Sequence, residues 1–169
     1  MTILTNPETA EALDDPSAFR SGYLETLSLI ERLHRQLLDV IKDELERRGE
    51  LEVNSVQALM LFNIGDQELT AGELRTRGHY LGSNVSYNLK KLVELGYIHH
   101  ERSDADRRAV CICLAEKGQA IRRIVAALFD RQLGSLRPVG NLAPGEFDAM
   151  NRALKRLERF WLDQVRYRL

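Results

Sequence analysis

Between Ser83 and Lys91 the chain sets out Ser83, Asn84, Ser86, Tyr87, Asn88, Lys90 and Lys91, each a hydrogen-bonding group or a cation. At 100° per residue, the apolar Val85, Leu89, Leu92 and Val93 share one side and are expected to be buried. Asn84, Tyr87, Lys90 and Lys91 fall opposite them, with Ser83 in the first turn and Ser86 and Asn88 on the flanks. No carboxylate joins that side until Glu94. Such a helix suits a duplex major groove, where asparagine can bond adenine bidentately and lysine meets phosphate. An ordinary solvated helix face is the competing reading, but such faces usually mix Glu with Lys.

A second group of residues follows at hairpin distance. Asp104-Ala105-Asp106-Arg107-Arg108 forms a charged turn, entered by a strand that ends at Arg102. Adjacent arginines at a hairpin tip can place a guanidinium in the minor groove, where the negative potential favours it. A neighbouring carboxylate can fix the orientation of that guanidinium. A polar turn of no function is common, but it loses weight when it trails a candidate recognition helix.

The elements that must hold these groups are legible from periodicity. Residues 1–16 are acidic, lack sustained pattern and are expected to be a mobile arm. From Ser17 an apolar stripe spaced by threes and fours runs through Tyr23, Ile30, Leu37 and Leu45 to a stop at Gly49. Asn54 is expected to cap a helix over Ser55–Ile64, ended by Gly65. Thr70 and Glu73 have the spacing of a capping box for a short helix over Ala71–Arg77. Ser83 is expected to cap the helix that stops at Gly96. Tyr97–Arg102 and Ala109–Leu114 read as two strands, the second with Val110, Ile112 and Leu114 on one face and Cys111 and Cys113 on the other. A long helix then runs until Pro138 breaks it, and a last one starts near Pro144. The expected fold is mainly α: a winged helix-turn-helix lobe over about 53–114, with further helices over about 17–48 and 115–169 suited to dimerisation.

Composition adds limits rather than support. The 169 residues carry a net charge of −1, so no overall basic excess argues for nucleic acid. Ala71–Val110 holds seven Lys/Arg against five acids, while the other positions hold 17 against 20. The asymmetry is real but small. The first residues have neither a basic segment nor an apolar run, and no stretch approaches a membrane span, so a cytoplasmic protein without membrane contact is expected.

The run Ser83–Ile98, with Leu92-Val93-Glu94-Leu95-Gly96-Tyr97-Ile98 at its end, and the following Asp106-Arg107-Arg108 resemble the MarR family of bacterial transcription regulators. The stretch Tyr80–Lys91 is most similar to the LdtR-type subgroup. The helix order extends the resemblance over residues 17–169. It implies a homodimer on a pseudo-palindromic stretch of double-stranded DNA, with the Ser83–Lys91 helix in the major groove. It implies that Asp106 steers Arg108 into the minor groove and that Arg107 meets phosphate. Where many relatives have arginine two residues after Ile98, this chain has His100, which removes a salt bridge at the wing base and introduces a titratable group. The resemblance also implies a small-molecule effector; Leu38, Leu59 and Phe62 are candidate pocket residues, with plain core packing as their alternative.

Other functions fare worse. Cys111 and Cys113 could make a redox sensor, yet the nearest cations are Arg107 and Arg108. His34, His79, His99 and His100 show no metal-ligand spacing. No nucleophile elbow, Walker loop or dinucleotide fingerprint occurs, so neither an enzyme nor a cofactor is expected. A winged helix that binds protein instead would need neither Lys90 and Lys91 nor the paired arginines.

Overall fold

The computed structural model describes residues 15–66, 69–70, 82–102 and 110–167. The expected arm up to residue 14, the short helix over Ala71–Arg77 and the hairpin tip lie outside them. The described elements, in order, are α1 (Pro16–Arg48), α2 (Ser55–Ile64), β1 (Leu69–Thr70), α3 (Gly82–Glu94), β2 (Ile98–Arg102), β3 (Val110–Leu114), α4 (Glu116–Gly140) and α5 (Pro144–Tyr167). They fall into two compact units, residues 1–125 and 126–169.

Helix ends in the first unit follow local chemistry. The Asp15 carboxylate accepts from the Ser17 amide at 2.9 Å, and Pro16 occupies the first turn, where a missing N–H costs nothing. The Ser17 amide, then the Ser17 hydroxyl, hold the Asp15 carboxyl below its usual range. α1 ends where Gly49 turns left-handed (φ 76°) and its amide meets the Glu46 carbonyl, while Glu50 donates to Leu45. In the last turn the Glu44 side chain is buried and lies 2.8 Å from Arg47 and 2.9 Å from Arg48. α2 opens with a reciprocal capping box: Gln57 N–H donates to the Asn54 side chain, and Asn54 N–H to the Gln57 side chain.

α1 packs on α2, α2 on β3 and α3 on β2. The core of this unit is Ile41, Leu45, Ala58, Met60, Leu61, Ile64, Leu92, Tyr97, Ile98, Ile112, Ile121 and Val125. The sheet has the order β1-β3-β2, antiparallel throughout, with β3 in the middle. A third strand was not expected. β1 is two residues long, too short to carry an alternating pattern, and it places Thr70, read as a helix cap, opposite Cys111.

Two further boundaries differ from expectation. α3 begins at Gly82, so Ser83 lies inside the helix rather than capping it. α4 does not break at Pro138; it runs to Gly140 and stops at Asn141, which adopts φ 50°. Proline in a last turn forfeits a single bond to the carbonyl four residues back, and the left-handed asparagine supplies the real stop. α5 starts at Pro144 as expected, and the Glu146 carboxylate accepts from the Ala143 amide at 2.7 Å. None of its residues is buried. Among the described residues, no helix is long and apolar enough to cross a membrane.

Candidate nucleic-acid interface

The turn from α3 into the wing strands is built by Leu95-Gly96-Tyr97-Ile98. Gly96 takes φ 75°, its amide donates to the Val93 carbonyl, and the Tyr97 amide donates to Leu92. This paired closure needs a residue free to turn left-handed and an apolar contact after it. Leu92 and Tyr97 provide that contact, both fully buried. Ile98 then enters β2 with its side chain in the core.

Tyr97 is also tied to the start of α4. Its carbonyl accepts from the Ala115 amide at 3.0 Å. Its hydroxyl donates to the Glu52 carboxylate at 3.0 Å, and the Lys117 ammonium binds that same carboxylate oxygen. Lys117 further donates to the Leu95 carbonyl at 3.2 Å and stands 4.4 Å from the centre of the Tyr97 ring. Sequence reasoning missed this cluster.

The cluster shifts all three titrations. The hydrogen bond from Lys117, then that from Tyr97, holds the Glu52 carboxyl below the usual glutamate range. The same bond to Glu52 raises Lys117, and burial, followed by the bond to Glu52, raises the Tyr97 phenol. A carboxyl lowered on folding stabilises fully above its unfolded value and loses that contribution as the pH falls through the folded value. A raised lysine keeps its contribution until strong alkali. The cluster is therefore intact through neutral pH and opens in acid. Wild type is expected to lose more stability than Glu52→Gln on passing from neutral to acid buffer, read as urea midpoints; equal losses would deny the cluster any such role.

The α3 face differs in one respect from the expectation. Tyr87 is 69% exposed and Ser86, Lys90 and Lys91 are exposed, as anticipated, while Leu92 is buried and Leu89 and Val93 are half-buried. Asn88, expected on the flank of the exposed side, is instead buried. It stands one turn before Leu92, and the packed face is rotated toward that pair, away from Val93. Its side chain is thus packed rather than presented on the exposed arc, contrary to the expected exposure. Glu94 shares the exposed arc and lies 3.9 Å from Lys90, an exposed i,i+4 pair of little energetic weight. The backbone of Ser83, Asn84 and Val85 forms the first turns of α3; their side chains lie outside the described residues. No acid occupies the first turn of α3.

In the wing, β2 and β3 pair from Ile98↔Leu114 to Arg102↔Val110. Asp106, Arg107 and Arg108 belong to residues 103–109 and lie outside the described residues, as do the side chains of His100, Arg102 and Cys111. His99 is exposed and pairs across with Cys113, a half-buried thiol in no disulfide. Leu38 on α1 and Leu59 and Phe62 on α2 are each half-buried. A separate cleft of about 410 Å³ opens beside α3, lined by Leu89, Lys90, Val93, Ile98 and Ile112 among others.

Comparison with known proteins agrees with this architecture. The model of the MarR family matches residues 51–109, from before α2 into the wing. The chain is 36% identical to the exopolysaccharide II synthesis transcriptional activator ExpG of Rhizobium meliloti, over 99% of this chain and 89% of that protein. Among solved structures, Streptococcus pneumoniae FabT in complex with DNA has a TM-score of 0.61 at 22% identity, covering 83% of this chain and 98% of its own. Staphylococcus aureus MarR in complex with salicylate and kanamycin gives 0.66 at 20% identity, covering 86% and 96%. These two likenesses speak for the winged-helix fold. With a relative at this identity spanning nearly its whole length, the chain belongs to the MarR family of DNA-binding transcription regulators, not to an enzyme family.

Proposed function

We propose that the protein binds a pseudo-palindromic operator as a homodimer, each α3 in a major groove and each wing tip in the adjacent minor groove. The observation that carries this is the exposed arc of α3, where Ser86, Tyr87, Lys90 and Lys91 stand together on a helix closed firmly into the wing. Ser83 and Asn84 in its first turn and Arg102, Arg107 and Arg108 on the wing complete the contact set, with Asp106 orienting Arg108. The dimer reading rests on large apolar side chains exposed along α1 (Phe19, Tyr23, Leu33) and α5 (Met150, Leu154, Trp161), a surface of the kind single soluble domains cover. In this reading residues 17–169 form one MarR-like domain, with the winged lobe over about 53–114 and dimerisation helices over about 17–48 and 115–169. On the same reading it works in the cytoplasm, and the resemblance of the run Tyr80–Lys91 supports the LdtR-type subgroup.

Regulation follows from a population shift. An effector that prefers a dimer with altered spacing between its two α3 helices weakens DNA binding by its differential affinity. The S. aureus relative is known with salicylate, and here the effector lies where α1 packs on α2, around Leu38, Leu59 and Phe62. The near-full-length similarity to ExpG supports promoters of extracellular polysaccharide synthesis as the targets.

Selection of bound sequences from a random duplex pool tests the core of this reading. Enrichment of a dyad with half-sites about 10 bp apart is expected; enrichment of nothing, or of sites without dyad symmetry, would sink it. On the selected operator, Arg108→Ala should weaken binding and reduce the slope of log affinity against log salt by about one. An unaltered slope would remove Arg108 from the interface.

A further inference from the structure

Both ends of α2 are tied to a single helix. Glu52 lies just before the α2 cap Asn54, and Asp66 lies just after Gly65, where α2 ends. Lys117, in the first turn of α4, binds the Glu52 carboxylate. Arg122, in the second turn, reaches the Asp66 carboxylate at 2.7 Å. Two cations of α4 thus hold acids at opposite ends of a helix about 15 Å long. The Glu52 end is joined to more than α2: the same carboxylate accepts from Tyr97 at the base of β2, and Lys117 also takes the Leu95 carbonyl at the end of α3. Between the two ties α4 buries Gly118 and Ile121, and Arg122 itself is half-buried.

We propose that Lys117–Glu52 and Arg122–Asp66 form a double clasp by which the position of α4 is imposed on α2 and on the α3–wing junction, holding the winged lobe in the form that engages DNA. The inference rests on the DNA-binding reading and adds to it the element that positions the lobe. Partly exposed ion pairs contribute little to stability singly, and the buried apolar core already holds this unit together. What the ion pairs add to that core is a charge-specific anchor at each end of α2. Beyond the packing of α2 on α1 and β3, two ties at opposite ends add fixed points against its tilt and its displacement along α4. Both ties fall in the first turns of α4, within the first compact unit.

The test uses the full-length protein and substitutions that remove charge but keep shape: Glu52→Gln, Asp66→Asn and the two combined. None of these residues belongs to the DNA-contact set. On a selected operator, well below the unfolding transition, each single change is expected to lower affinity about two- to fivefold. The combined change should lower it about tenfold or more. The salt slope should stay at the wild-type value, because no phosphate contact is lost. Asp66→Arg should impair binding, and adding Arg122→Asp should restore it. Operator affinity within twofold of wild type in the combined variant would overturn the clasp, as would a failure of the reversed pair to rescue.

Amide hydrogen exchange separates this failure from failure of the DNA reading. Exchange at Tyr97 and Ala115, whose amides close the junction, should accelerate in Glu52→Gln. Unchanged exchange overturns the clasp whether or not an operator is found. A wild-type protein that binds no duplex overturns the DNA reading itself.

Discussion

Leu154→Asp is expected to turn the protein into a folded monomer that no longer holds its operator. Leu154 lies in the middle of α5 and is 37% exposed in the single chain, so the carboxylate of an aspartate there can reach water without a partner. In an isologous dimer every interface residue acts twice. Burying the exposed third of two leucines is worth only about 1–2 kcal/mol, roughly tenfold in the dissociation constant, and desolvating two carboxylates supplies the larger loss. A monomer engages a single half-site, so operator affinity should collapse with the dimer. Sedimentation at micromolar concentration and operator titration read the two effects together. A variant that remains dimeric would take α5 out of the interface.

Gly118→Ala should be the most damaging small substitution in the DNA-binding unit. A methyl group built at Gly118 would overlap the Tyr97 carbonyl oxygen and stand 3.2 Å from its carbon. These are backbone atoms, so no side chain can swing aside. The oxygen is also the acceptor of the Ala115 amide, and displacing it strains the start of α4 and the base of β2 together. Overpacking of this kind costs about 1–3 kcal/mol, with a further contribution of about 1 kcal/mol if the Ala115 bond is lost. For a chain of this size that lowers the thermal midpoint by roughly 5–10 °C. A midpoint within a degree of wild type would mean that the two backbones separate freely. Alanine normally favours helix over glycine, so the sign of the change is itself diagnostic.

Gly118 shows what single-residue patterns cannot disclose. Its need for glycine comes from a carbonyl 21 positions earlier, not from its neighbours. The α2 helix is the opposite case. Its observed bounds, Ser55–Ile64, match the expected ones because Asn54, Gln57 and Gly65 carry the start and stop within the segment. The strands were legible from alternation, as was the glycine stop at Gly96, which needs only its own left-handed turn. Pro138 misled because its cost depends on how much helix follows, and the true stop is Asn141. Asn88 misled because a helical wheel drawn from apolar residues alone centres the buried side on them, and here the packed face is turned toward a polar residue. The clasp was out of reach: its partners are 65 and 56 positions apart, and charges of this kind usually read as solvated surface.

The burial of Asn88 bears on how such a protein could be given a new address in a genome. On the proposed major-groove reading, specificity is rewritten by exchanging the letters α3 presents, which among the described side chains are Ser86, Tyr87, Lys90, Lys91 and Glu94. Asn88 and Leu92 are the spine of that text, facing inward, and a graft that copied a relative's whole helix would replace the spine along with the letters. Lys90 and Glu94 form a linked pair and are best exchanged together. The natural unit of reprogramming is therefore an interrupted set of surface positions, carried on an unaltered inner seam.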